Sequence, residues 1–594
     1  MIAKTGKIFG IHGRANLPGS FFEEAAHNPD KTLLVSRIDG KWVKLTYGEV
    51  ALRVRGLAAC LSGLGVKPGD KVFISAENRP EWAIADLAVM SIGAIVVPAF
   101  VTNTEDDHHF IMTHAGVIAG ITSGGGLAQT VARAGARVAT LRTLIVIDDD
   151  PASTPCGDKE VISWRDAIAE PMPETDINAR IDALGCDDVC CFIYTSGTGG
   201  RPKGVMLTHR SIQANINAAI DLLAEGDVAE DQRFLSLLPL SHSYEHTAGM
   251  HLPLQTRSEV WYCESADQIA NNLAEVGPTL MTAVPRLYEV LYDRITRGVR
   301  AKGGLSARLF FRAVEIGTKI QKGQRLSLAD TMLNPLLDLI VRRKVRRRLG
   351  GRLRYFVSGG AALNPEIGRF FISLGINILQ GYGQTEASPL ISANRPGQVR
   401  IATVGPPVKG VEVRLSDDGE ILVRGEMLMK GYWKDEEATR ATIQDGWLYT
   451  GDIGEIDDDG YITITGRKKE MIVNSGGDNI APGRVEAILQ MEPEIEQVMV
   501  DGDKKPWLAA VIVPAPGVME NNASPDEIEK ALGKAVERAN QNLSRLERVR
   551  RFILADEPFT VDNTQMTATL KTRRHVVRKV YGKRLDALYG KASG

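Results

Sequence analysis

Six cysteines in 594 residues are too few to frame a chain of this size with disulfides, and Cys186, Cys190 and Cys191 lack the paired spacing of a zinc site. A reducing, cytoplasmic setting is expected. Neither charge sign is in excess: 71 Lys+Arg against 73 Asp+Glu leave a formal net charge of -2. The chain as a whole lacks the positive field of a nucleic-acid binder, so nucleic acid is not an expected partner. Membrane-spanning runs are missing too. The most apolar stretch, residues 84–100, carries Asp86, is broken at Gly93 and Pro98, and is short for a bilayer. It reads as a buried helix running into a buried strand. The opening MIAKTGKIFG has no apolar core followed by a cleavage signal, so export is not expected. What remains is an ordinary globular mixture, 44% hydrophobic and 24% charged, in a chain longer than one core usually organises. More than one domain is expected.

The N-terminal part alternates amphipathic helices with short β-branched strands, the pattern of parallel α/β layers. Thr46 and Glu49 have capping-box spacing, and Val50, Val54, Leu57, Ala58 and Leu61 follow at helical intervals until Gly63 and Gly65. Residues 71–75 (KVFIS) read as a strand, 80–90 as a helix with Pro80 in its first turn, and 95–100 as the next strand, together a βαβ unit. Short strands at 143–147, 354–357 and 377–379 imply at least one large mixed or parallel sheet. From about residue 405 the texture shifts to alternating strands with Gly and Asp turns, at 420–423, 461–465, 497–500 and 508–513, a smaller α+β region. Residues 466–477 (GRKKEMIVNSGG) lie between the two textures and read as a hinge, which sets the domains at 1–466 and 467–594.

Chemistry first shows at 194–205, YTSGTGGRPKGV, behind the apolar run 189–193. Dense Ser, Thr and Gly let backbone N–H groups and hydroxyls converge on phosphate oxygens, and Lys203 adds positive charge. The common P-loop is excluded, because Pro202 precedes Lys203 and Gly204 follows it. This stretch resembles the signature loop TSGTTGxPKG of the adenylate-forming, AMP-binding superfamily, with Gly199 replacing the second Thr of the TT pair. The resemblance implies nucleotide contacts from Thr195, Ser196, Gly197, Thr198 and Lys203.

Further family motifs follow in the family's order. SGGAAL (358–363) supplies Gly359, Gly360 and Ala361, whose small size would let a flat base approach the backbone. QGYGQTE (380–386) supplies Gln380 and Gly381, with Tyr382 resembling the ring that stacks on adenine, Thr385 a phosphate ligand and Glu386 the carboxylate that holds Mg²⁺ together with Thr195. YTGD (449–452) resembles the ribose-binding element, its Asp452 accepting from both hydroxyls. GRKKE (466–470) matches the family hinge, with Arg467 near ribose or phosphate and Lys469 at the pivot. MTATLKTRR (566–574) resembles the form that long-chain acyl-CoA synthetases carry around a catalytic lysine, here Lys571. Bringing a carboxylate to the α-phosphate of ATP sets like charges together, and a lysine can offset them. LSHSYEH (240–246) resembles the acyl-pocket segment, with His242 and Tyr244 as acyl-binding residues.

The resemblance implies an α/β fold: a large N-terminal domain of stacked α/β sheets plus a distorted barrel, and a smaller mobile α+β C-terminal domain. It also implies an ATP-dependent ligase in which Thr195, Glu386 and Lys571 serve catalysis, converting a fatty acid to acyl-AMP and then to acyl-CoA. ATP and CoA are the co-substrates, Mg²⁺ is the cofactor, and a homodimer is compatible with this reading. The ENRPEW and TNT segments (77–82 and 102–104) resemble long-chain enzymes. Three alternatives stay open: a ligase loading a carrier protein, an aryl or medium-chain acid-CoA ligase, and a catalytically inactive acyl- or nucleotide-binding protein. One segment stands outside these motifs. Residues 296–354 are helical in pattern and end in the basic VRRKVRRRLGGRLR (341–354) behind the apolar stretch 332–340. That segment reads either as a solvated face beside a core helix or as peripheral contact with an anionic membrane.

Overall fold

A computed structural model of the protein describes residues 16–195, 201–226, 228, 232–519, 524–567 and 571–590. Two eight-stranded sheets dominate the N-terminal part. One is built around strands Ile95–Pro98, Lys71–Ser75 and Val117–Thr122, which pair in parallel. The helices between them follow from local sequence. Thr46 and Glu49 close the expected capping box at the start of Tyr47–Gly63, and Pro80 opens Pro80–Ser91 with its missing N–H at no cost. That second helix is apolar nearly all round and is buried nearly all round, Asp86 included. The expected strand at 95–100 ends at Pro98, and the other expected strands lie within two residues of their predicted starts.

The second large sheet runs Leu280–Ala283, Tyr355–Ser358 and Asn377–Gly383 in parallel, beside Arg233–Ser236. Parallel strands share the edge at which they end, and α/β folds bind ligands at that edge. Here the edge carries Leu237, Val284, Gly359 and Tyr382, while Thr195 ends a strand that runs parallel to Ile95–Pro98 in the other sheet. Both sheets therefore open onto one cleft. A five-stranded antiparallel sheet follows, centred on Glu420–Gly425 and Trp447–Ile456.

The C-terminal part is a three-stranded sheet, Ile495–Asp501, Leu508–Pro514 and Val549–Leu554, with its own core. Its strands alternate by the period-two rule: Val498, Val500, Ala510 and Ile512 face one cluster with Val485 and Leu532, while Met499, Ala509 and Val511 face Val577 and Tyr581. The expected hinge at 466–477 does not begin as a loop. Gly466 and Arg467 are the last residues of strand Ile462–Arg467, paired with Ile453 and Asp452, and the chain turns only after them. The 296–354 region resolves into several helices, broken where Gly303 and Gly304 adopt positive φ. Among the described residues no helix is long and apolar enough to cross a membrane.

Candidate active site

A cleft of about 2620 Å³ lies where the two sheets end and the C-terminal part closes over them. Of the predicted nucleotide loop, Thr195 and Lys203 line it and face each other across an antiparallel pair. Ser196, Gly197 and Thr198, with Gly199, lie outside the described residues. The Lys203 ammonium sits over the ring of Tyr432 at 4.7 Å and 3.5 Å from Asp435. Tyr432 comes from a two-residue strand that pairs with Val205, two residues beyond Lys203. Its hydroxyl donates to Glu386 Oε1 at 2.8 Å. One ring thus spaces the lysine from the carboxylate.

The backbone around Glu386 is fixed from two sides. Met429 N–H donates to the Glu386 carbonyl. The buried amide of Asn215 donates to the carbonyls of Ala387 and Leu390 at 3.0 and 3.2 Å and accepts from Leu390 N–H at 2.8 Å. Thr385 lies 3.1 Å from Ser243. Glu386 Oε2 meets no hydrogen-bond donor among the described residues, so it offers a hard oxygen to the cleft that Thr195 also lines, and such oxygens suit Mg²⁺.

Asp452 is 3% exposed. Tyr382 donates to its Oδ2 at 2.7 Å, and Arg467 lies 3.1 Å from its Oδ1. Burial raises the Asp452 carboxyl, and Arg467, Tyr382 and then Lys571 draw it back toward the ionised form. The Tyr382 phenol is pushed up by burial and by that same carboxylate, so it stays a donor. Gly359, Gly360, Ala361 and Gly381 also line the cleft, but Gly359 is packed close to Tyr244, whose ring would stand 3.2 Å from an added Cβ. Gln380 lines the wall with its amide already committed, accepting from Leu363 N–H and donating to the Thr403 carbonyl.

Both predicted acyl residues reach the cleft. Tyr244 spends its hydroxyl on the Val357 carbonyl at 2.8 Å. His242 Nδ1 accepts from Tyr244 N–H, and burial, then the nearby Lys571 cation, lowers its pKa to about 4, so the ring is neutral. Beside them Ile216, Ala219, Leu223, Phe234 and Leu252 form an apolar recess. Behind it Glu245, buried in a π-helical turn, accepts from Ser236 and Thr282 and is pushed up to about 7 by burial.

From the C-terminal part come Lys571 and Lys469, both lining the same cleft. The Thr567 hydroxyl accepts the Lys571 N–H at 3.0 Å. Desolvation at the cleft mouth, then repulsion from Arg467, lowers its pKa below the ordinary lysine value, against the pull of Asp452 and Glu470. Three residues beyond Lys571, Arg574 is paired with Glu486 and lies 3.4 Å from Glu470 on the hinge side. Tyr432 and Asn215 went unread in the sequence, since each is a lone residue outside any of the motifs.

The chain matches the AMP-binding enzyme model over residues 21–433 and the AMP-binding enzyme C-terminal domain model over 469–593. It is 33% identical to a long-chain-fatty-acid–CoA ligase of Mycobacterium bovis, with 98% of each chain covered. A peroxisomal long chain acyl-CoA synthetase of Arabidopsis thaliana is 30% identical over 93% of this chain and 82% of its own. The adenylation domain of a carboxylate reductase from Mycobacterium chelonae superposes with a TM-score of 0.80 at 21% identity, covering 99% of this chain and 93% of that one. With both family models matched in order, and the motifs of nucleotide loop, acidic loop and terminal lysine gathered on one cleft, the chain belongs to the AMP-binding enzyme family of adenylate-forming ligases.

Proposed function

We propose that the protein activates a fatty acid, of long-chain class, in two half reactions. The acid's carboxylate oxygen attacks the α-phosphorus of ATP and expels pyrophosphate, giving acyl-AMP. The thiol sulfur of CoA then attacks the acyl carbon, loses its proton and expels AMP. The observation that carries this reading is the meeting, on one cleft with an apolar recess, of Lys203, Glu386, Asp452 and a C-terminal lysine, Lys571. Full-length likeness to long-chain-fatty-acid–CoA ligases supports the substrate class.

In this reading the neutral His242 admits a carboxylate without trapping it as an ion pair. Lys571 offsets the charge that gathers as carboxylate and α-phosphate meet, Lys203 and Thr385 hold phosphate oxygens, and Asp452 accepts the ribose hydroxyls. Glu386 and Thr195 would hold Mg²⁺, which supplies charge neutralisation to the phosphates when bound. The domains part at 466/467, and rotation about Lys469 withdraws Lys571 before thiol attack. Support for a separate small domain comes from its self-contained core, whose bridges to the large domain include the 3.7 Å pair Arg286–Glu496. A cytoplasmic setting fits six unpaired cysteines.

The test is a panel of acids of increasing chain length with ATP, Mg²⁺ and CoA, measuring AMP and acyl-CoA together. Equal yields of both, greatest for long chains, are expected. Pyrophosphate is followed alongside: acid-dependent pyrophosphate release without AMP or acyl-CoA would transfer the reading to a carrier-loading ligase, and no acid-dependent pyrophosphate at all would sink it.

A further inference from the structure

The apolar and basic stretches of 328–348 fall on one continuous helical rod: Leu328–Leu337, a π-turn at Asp338–Arg342, and Arg343–Arg348. Twenty-one residues at 1.5 Å each make it about 30 Å long. One face is anchored. Leu337 and Val341 are in the core, Asp330 is buried and paired with Arg312 and Lys319, and buried Arg342 donates to the carbonyls of Ser373, Ala313 and Asn334.

The opposite face should then be polar, and it is not. Leu328, Met332, Leu336, Leu339 and Ile340 are 87, 81, 50, 57 and 40% exposed, the first three a turn apart and the last two together one turn further on. Past them the stripe continues as exposed Arg343, Lys344, Arg347 and Arg348. Among the described residues none of these four makes an ion pair, while Asp338 is taken by Arg346. The exposed positions of the stripe carry no carboxylate.

We propose that this face docks on an anionic lipid surface, lying in the interface with Leu328, Met332, Leu336, Leu339 and Ile340 among the acyl chains and the four cations at the headgroups. Apolar area gives depth and the cations give charge complementarity, and the two act together on one rod. A second copy of this chain fits less well: a two-fold contact would set cations against cations or against leucines, with no acid on the stripe to match them. The surface is also well placed for a lipid substrate. Helix Leu328–Leu337 packs on Gly304–Gln321, which packs on Pro285–Lys302, and that helix lines the cleft through Arg286, Leu287 and Val290.

The test is co-sedimentation of the full chain with phosphatidylglycerol vesicles and with phosphatidylcholine vesicles, at low and high salt, alongside its sedimentation alone. The native chain should pellet with the anionic vesicles at low salt and be largely released by high salt. Met332→Glu/Leu336→Glu and, separately, Arg343→Glu/Lys344→Glu should each lower the bound-to-free ratio at least tenfold. Met332→Gln/Leu336→Gln gives the first comparison without new charge. In all three, the melting temperature and turnover of a short water-soluble acid should match the native chain, which separates docking from folding and from the ligase reading. The proposal is overturned if the native chain stays in the supernatant, if well-folded variants bind as it does, or if the apolar variants only convert a dimer to a monomer.

Discussion

Tyr432 holds Glu386 by a 2.8 Å hydrogen bond while its ring carries the Lys203 ammonium at 4.7 Å. The carboxylate proposed for the metal and the cation proposed for phosphate are thus spaced by one side chain. Removing only the hydroxyl, Tyr432→Phe, keeps the ring under Lys203 and frees Glu386. A charge-assisted hydrogen bond of this kind contributes about 1.5–3 kcal/mol, which sets the loss at roughly tenfold or more. Pyrophosphate release followed against Mg²⁺ concentration should show a higher requirement for the metal, with Tyr432→Leu worse than Tyr432→Phe. An unchanged Mg²⁺ curve for Tyr432→Phe would remove Tyr432 from this role.

In the proposed mechanism Lys571 separates the two half reactions. Lys571→Ala should cut acid-dependent pyrophosphate release by 100-fold or more, in line with about 3 kcal/mol for one charge-stabilising group. Thioester formation from supplied acyl-AMP should survive. Equal loss of both steps would refute the assignment. The same residue sets a pH limit: it acts as a cation, and its pKa lies below the ordinary lysine value. The native adenylation rate should therefore fall on the alkaline side before a free lysine would titrate, and Lys571→Arg should lose that limb.

How much of this was legible depends on how local each signal is. The capping box at Thr46, strand Lys71–Ser75 and the string 380–386 are read within a few residues, because helix caps and strand patterns are set by near neighbours. Asn215 is not, since its partners Ala387 and Leu390 lie 172 and 175 residues away. Gln380 is legible in part. Its place in the motif is local, but that the fold holds its side-chain amide on Leu363 and Thr403 is not readable from near neighbours. Gly466 and Arg467 look like turn residues by composition, but cross-strand pairing with Ile453 and Asp452 makes them the end of a strand, a contact no local pattern announces.

Glu245 should make stability depend on pH. Burial pushes its folded pKa up to about 7 from the ordinary 4.5, so the fold favours the protonated acid. This contribution is fully present below about pH 4.5 and is lost as pH rises toward 7, by about 3 kcal/mol at 1.36 kcal/mol per unit. Glu245→Gln stays neutral beside Ser236 and Thr282. Urea unfolding of both chains from pH 4 to 8 should show the variant gaining on the native protein through this window; a constant difference would mean that Glu245 is ionised in the fold.

Gly383 tests whether the acidic loop needs glycine for space rather than for backbone freedom. An added Cβ there would stand 1.9 Å from the Pro389 carbonyl oxygen, a backbone atom of the adjoining strand connection, and nothing flexible can give way. Gly397 is the opposite case, with φ at +76° and no atom within 4 Å of a new Cβ. Gly397→Ala should cost about 1 kcal/mol for its left-handed backbone and leave turnover intact. Gly383→Ala must push apart the strands that carry Tyr382 and Leu390, at about 1–3 kcal/mol, and it displaces Thr385 and Glu386 just beyond. It should lose at least tenfold in AMP formation even where urea unfolding shows the chain still folded. If Gly383→Ala lost stability alone, as Gly397→Ala should, the position of Glu386 would not depend on that contact.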